Sequence, residues 1–241
     1  MSDILQITAV GLLQAKDRLD AISANAANAT LPGFRRHVAI GRPFDSLLTQ
    51  TTADSSTQAR DAMPPAVDLR AGSIAETGRA LDVSIDAEDL FFALTDGTQT
   101  WLTRAGAFHL DEHGVLVGEG GLHVVGTQGE IRLPGSDVTV EGDGRLLHAG
   151  LTVGSLQLFR AADPTALRAA GGSLLTVSGE MYPVEAQAMR VRGGTLEASN
   201  TDSTREMLDL VVLSRQYESL SRVLVSYDEL LGRFIQKVGE G

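Results

Sequence analysis

The C-terminal segment constrains this chain most. Ser203-Thr204-Arg205-Glu206 reads as a capping box, with Ser203 closing the first turn and Glu206 reaching back to it. Apolar residues then follow a heptad. Leu210, Tyr217, Leu224, Leu231 and Val238 form one series, and Leu213, Leu220, Tyr227 and Phe234 form the other. Val211, Val212, Val223, Val225 and Ile235 add apolar groups on other faces. A lone two-stranded coiled coil leaves these exposed, whereas several surrounding helices bury them. Gly232 costs about 1 kcal/mol relative to alanine but lies off the seam.

A second helical segment stands at the other end, from Asp3 to Thr30. Leu5, Thr8, Leu12, Ala15, Leu19, Ile22, Ala26 and Ala29 make its stripe, and Ile4, Ile7, Val10 and Leu13 lie off it. At about 1.5 Å per residue it is a rod of roughly 40 Å. Pro32-Gly33 ends it, since Pro presets position i+1 of a turn and Gly supplies positive φ at i+2.

The middle is different. The chain's 26 glycines concentrate there. Short β-prone runs alternate with turn signals from Ile74 to Val191. The runs are Leu81–Ile85, Phe91–Thr95, Thr100–Arg104, Ala107–Leu110, Val115–Val117, His123–Val125, Val138–Val140 and Ser155–Phe159. Asp96-Gly97, His113-Gly114, Gly118-Glu119-Gly120-Gly121, Gln128-Gly129, Pro134-Gly135 and Gly142-Asp143-Gly144 punctuate them. A Thr/Ser/Gln/Ala-rich stretch, Leu47 to Ala66, reads as a linker. The expected fold class is α+β. Long N- and C-terminal helices form a helical-bundle or coiled-coil-like assembly region, with an antiparallel all-β domain inserted. The expected blocks are 1–46, 47–73, 74–191 and 192–241.

Composition narrows the function classes. Lys and Arg total 20 against 31 Asp and Glu, a net charge of −11, and Arg35-Arg36 is the only adjacent basic pair. A phosphate backbone repels such a chain, so nucleic acid is not an expected partner. No apolar run approaches the ~18–20 residues of a membrane span, so no membrane insertion is expected. Lys16 is the first basic residue and no apolar block with a cleavage site follows, so no cleaved signal peptide is expected. Cysteine is absent, which excludes disulfides, thiol catalysis and cysteine-ligated metal.

No constellation for chemistry emerges. His109 and His113 have i,i+4 spacing, but on a strand-and-turn segment that spacing separates the rings. Asp82, Asp86, Glu88, Asp89, Asp111, Glu112, Glu141 and Asp143 are plentiful carboxylates, mostly of the turn kind. The glycine loops lack the GxxxxGK[ST] of a phosphate loop. Trp101, the single tryptophan, reads as a partly packed β-core residue. The expectation is no enzyme, no cofactor and no metal.

Ser23-Ala24-Asn25-Ala26-Ala27-Asn28-Ala29-Thr30-Leu31-Pro32-Gly33-Phe34-Arg35 resembles the N-terminal signature of the flagellar basal-body rod and hook proteins, S-x-N-L-A-N-x-x-T-P-G-F-[KR]. Ala26 stands where Leu is usual and Leu31 where Thr is usual. Gly194-Thr195-Leu196-Glu197-Ala198-Ser199-Asn200 resembles that family's G-x-L-E-x-S-N, followed by Glu206-Met207 and Arg215-Gln216-Tyr217-Glu218. Thr77 to Val83, Leu102 to Phe108 and Gly171-Gly172 resemble its internal motifs. Length and the Pro-Gly-Phe turn are most similar to the proximal rod branch, with the distal rod branch as close rival.

The resemblance implies a structural subunit of the rod, the drive shaft between inner-membrane ring and hook. Its partners are other proximal and distal rod subunits, copies of itself and the flagellar type III export apparatus. Its implied assembly residues are Leu5, Leu12, Leu19, Ile22, Asn25, Asn28, Pro32, Gly33, Phe34, Leu196, Ser199, Asn200, Leu210, Leu213, Tyr217, Leu220, Leu224, Tyr227, Leu231 and Phe234. Asn25 and Asn28 are expected to fix helix register, and Leu196, Ser199 and Asn200 to position the start of the last helix. A reading from a different class stays open beside it: a carbohydrate-binding or hydrolytic β domain carried on a helical stalk.

Overall fold

The structure is a computed structural model that describes residues 2–39 and 65–239. The expected linker around residues 47–66 lies almost wholly outside them. The chain forms two compact units. Of the described residues, one takes 2–26, 38–39 and 203–239; the other takes 27–37 and 65–202.

The first unit contains the helices α1, Ser2–Ala27, and α2, Ser203–Gly239. They approach antiparallel at two points. Asn25 Nδ2 donates to Glu206 Oε2 at 3.3 Å, and a Cβ at Gly11 would lie 3.5 Å from Leu220 Cδ1. On α1, Thr8, Val10, Ala15, Ala21 and Asn25 are buried, and Leu12, Leu19 and Ile22 are half-buried. On α2, Glu206 and Leu213 are buried, Leu210, Leu220 and Tyr227 half-buried, and Tyr217 exposed.

The expected helical-bundle or coiled-coil-like region is therefore corrected. Two helices are present among the described residues, and the remaining regular structure is mostly short antiparallel strands. A heptad determines which residues share a face; a bundle also needs further helices to cover the other faces. Here Met207, Leu208, Val211 and Val212 are 62%, 64%, 50% and 66% exposed, and Val223, Val225 and Leu230 are exposed as well.

The second unit is built around one hairpin. Phe91–Thr95 pairs with Thr100–Thr103, with Phe92 opposite Thr103 and Leu94 opposite Trp101. Asp96 shapes its turn by accepting from the main-chain N–H of Thr98 at 2.8 Å and of Gln99 at 2.7 Å. Phe91–Leu94 is apolar without alternation because both faces are covered. Phe92 and Leu94 enter a core with Phe108, Leu116, Val124 and Leu158, where Phe92 meets Phe108 edge to face at 5.0 Å. Phe91 and Ala93 enter a second core with Leu102, Leu167 and Leu175.

Two expected boundaries move. The run Ser155–Phe159 is split: Leu151–Ser155 pairs with Arg145–His148, and Leu158–Ala161 pairs with Phe91–Phe92. The β structure also runs past Val191. Val191–Gly193 pairs with Val83–Ile85, and Thr195–Glu197 pairs with Ile74–Glu76. The last strand thus returns to the first part of the unit.

At one hairpin tip, His148 pairs with Leu151 across Ala149-Gly150. Both turn residues have positive φ, 50° at Ala149 and 80° at Gly150, the pattern of a type I′ turn. A Cβ is disfavoured there, and asparagine fits better than alanine. Ala149→Asn should stabilise the β unit by about 1 kcal/mol. A chemical-denaturation midpoint that stays put or falls would contradict the strain.

Candidate functional site

The segments that carry the chain into and out of the β unit are joined inside it. Leu31–Phe34 forms the tight turn expected from Pro32-Gly33, closed by Phe34 N–H donating to Leu31 O at 3.2 Å. Gly33 has φ +68° and donates its N–H to Glu197 O at 2.7 Å. A Cβ there would sit 2.2 Å from the main-chain N of Ala105, so no larger residue fits. Phe34 follows fully buried, with the His37 ring 5.0 Å from its own.

Asn200 makes the second connection. Its Oδ1 accepts from Arg36 N–H at 2.7 Å, and its Nδ2 donates to Asp68 O and Arg70 O, both at 2.8 Å. Its own N–H donates to Phe34 O at 3.4 Å. One amide side chain therefore holds the segment after α1, the 68–70 segment and its own segment before α2. Ser199 Oγ accepts from Thr201 N–H at 3.1 Å, which turns the chain just ahead of Ser203.

Glu197 makes the third connection, and it carries charge. Its Oε2 accepts from Arg104 Nε at 2.8 Å and lies 2.6 Å from Arg104 Nη2. Its Oε1 accepts from Gly72 N–H at 2.9 Å and lies 2.7 Å from Arg35 Nη1. All three ionic side chains are 1% exposed. Arg104 also spends its donors on main-chain oxygens: Nη1 on Ala87 and Leu90, both at 2.5 Å, and Nη2 on Ile85 at 2.9 Å. Burial pulls the Arg104 guanidinium below its ordinary value, opposed by the Glu197 charge.

The two arginines are not equivalent. Arg35 is close enough to Glu197 for an ion pair, but none of its guanidinium N–H groups is aligned on an acceptor. One carboxylate thus serves two buried cations, through aligned hydrogen bonds to Arg104 and through charge to Arg35.

The expected assembly residues separate into three groups. Pro32, Gly33, Phe34, Leu196, Ser199 and Asn200 lie in this joint or beside it, and Leu196 pairs with Ala75. Asn28 O accepts from Leu31 N–H at 3.0 Å, just before the turn. Asn25 and the described α1 and α2 residues lie in the helical unit. The side chains of Leu5, Leu224, Leu231 and Phe234 lie outside the described residues. Arg35, Arg104 and Glu197 were not among the expected residues. Each is the one charged residue of a quoted motif segment, and that is the signal that marks them.

Turn geometry accounts for some of the other carboxylates. Asp111 accepts from His113 and Val115 N–H, both at 2.8 Å. Main-chain donors, chiefly Gln99 for Asp96 and Val115 for Asp111, hold these two below the usual carboxylate range.

Comparison with known proteins decides the family. The model for the flagellar basal body rod FlgEFG protein C-terminal family matches residues 192–237. The flagellar basal-body rod protein FlgF of Escherichia coli (strain K12) is 31% identical, and the alignment covers 94% of each chain. This chain belongs to the flagellar basal-body rod protein family. FlgG of Bacillus subtilis (strain 168) is 28% identical over 93% of this chain and 95% of its own. FlgF of Caulobacter vibrioides is 26% identical over 100% of this chain and 99% of its own. The rod-family match at 192–237 contains Glu197 and Asn200, so part of the joint falls inside it.

Two outcomes test the joint. Removing the shared charge should cost far more than removing the poorly aligned cation. Glu197→Gln should destabilise the β unit by about 3–5 kcal/mol, and Arg35→Met by less than about 2 kcal/mol. Equal costs in urea unfolding would contradict the asymmetry.

His37 supplies the other. Burial favours its neutral ring, so its value lies below the ordinary 6.5 and the unfolded chain binds the proton more readily. Its contribution to stability is complete above pH 6.5 and lost as pH falls through the lowered folded value. His37→Phe should flatten the fall in unfolding free energy between about pH 7 and 5. An unchanged slope would place the acid sensitivity elsewhere.

Proposed function

We propose that this chain is a structural subunit of the flagellar basal-body rod and works by mechanical coupling rather than catalysis. The observation that carries this reading is similarity to rod proteins along 94% of the chain. Two physical features support it. The Glu197 joint fixes the segment that follows α1 to the segment that precedes α2. The apolar residues α2 leaves exposed supply area that association could bury, at about 25 cal/mol per Å². The reading holds for either rod branch, since FlgF and FlgG relatives both match along nearly the whole chain.

Within the proposal, the partners are neighbouring rod subunits, including copies of this chain, and delivery is by the flagellar type III export apparatus. The proximal position and the assembly roles of the helix and joint residues named from the sequence belong to the same proposal. Met207, Leu208, Val211 and Val212 extend the surface beyond the heptad seam.

Val212 tests the surface because it is 66% exposed. Val212→Asp should leave the β unit folded, remove the chain from isolated basal bodies and abolish swimming. Wild-type swimming, with the variant present in basal bodies, would overturn the assembly role of this face.

A further inference from the structure

The β unit carries a cleft of about 300 Å³ whose apolar lining is Leu69, Phe91, Ala161 and Pro164. Its two walls are held by residues of the joint. The 68–70 wall is pinned by Asn200, whose amide donates to Asp68 O and Arg70 O. The 88–89 wall is pinned by Arg104, which grips Ala87 O and Leu90 O on either side of it. Its shape is therefore set before anything binds.

The rim is amphipathic and carries surplus negative charge. Asp68 is paired with Arg70, and Asp89 with Arg160 at 2.6 Å. Glu88 is exposed and has no charged partner among the described residues. An apolar lining that also holds one uncompensated carboxylate matches a long aliphatic stem that ends in a cation. The volume lies at the lower end of the roughly 300–1,000 Å³ of small-molecule sites, which suits one side chain better than a larger ligand.

We propose that this cleft receives a single arginine or lysine side chain from an adjoining protein subunit. The stem lies on Leu69, Phe91, Ala161 and Pro164, and the cationic head meets Glu88. The source of the side chain rests on the rod reading; the chemistry of the cleft does not.

Two measurements on the full chain test it. In the first, ¹⁵N shifts are followed on addition of N-acetyl-arginine methylamide, with the norleucine and glutamate analogues as controls. Saturable shifts confined to residues 68–70, 88–91 and 161–164 are expected with the arginine probe alone. Glu88→Gln should weaken them about threefold to tenfold. Equal response to all three probes, or no change with Glu88→Gln, overturns the charge match.

In the second, a photo-crosslinking residue replaces the exposed Thr165, next to the cleft, in cells, and basal bodies are isolated. An adduct to a peptide bearing Lys or Arg beside the cross-link is expected. No adduct, or one to an acidic or purely apolar segment, overturns the partner assignment. Absence of the unmodified chain from basal bodies overturns the rod reading instead, and the shift measurement still decides the cleft.

Discussion

One carboxylate holds the β unit together at its base. Glu197 stands between Arg35 and Arg104, and all three are removed from water. Desolvating three ions is expensive, and their mutual attraction does not make such a cluster an obvious source of stability. Its worth lies in specificity. Arg35 comes from the segment after α1, Arg104 from the central hairpin, and Glu197 from the last strand. Only one arrangement of these distant segments brings the charges together, because any other leaves an ion buried without its counter-ion.

Close main-chain packing reinforces that choice. Gly33 lies against Ala105, Gly72 against Ala198 O, and Gly106 against Val83 O, where a Cβ would approach to 1.9 Å at Gly72 and 1.7 Å at Gly106. Each glycine lets one backbone run against another at the place where the ionic groups must meet. The Asn200 amide then ties the flanking segments with four main-chain hydrogen bonds, counting its own N–H. The cleft that Glu88 lines depends on the same set, since Arg104 and Asn200 define its walls.

The helical unit follows different physics. On α1 the buried positions are mostly small or polar, namely Thr8, Ala15, Ala21 and Asn25, with Val10 the larger apolar side chain among them. On α2 large apolar side chains remain exposed. A helix hydrophobic on several faces is incomplete in a monomer, which is why this unit supplies the apolar surface proposed for assembly.

The sequence by itself determined the local geometry. The periodicity from Ser203 marked α2, Pro32-Gly33 marked the turn, and Phe91–Thr95 was legible as a strand, because these depend on spacing and backbone preference. The quoted motifs also identified the family, and so pointed at the joint without revealing what it does. Tertiary structure alone decided the rest. Arg35, Arg104 and Glu197 lie in separate motifs, and nothing in their spacing shows that they converge. Thr195–Glu197 looked like a lead into the last helix until its pairing with Ile74–Glu76 placed it in the β unit. The heptads suggested a bundle, but periodicity cannot supply partner helices. Convergence of distant charges and the number of neighbours around a helix are properties of the folded chain, so no local pattern encodes them.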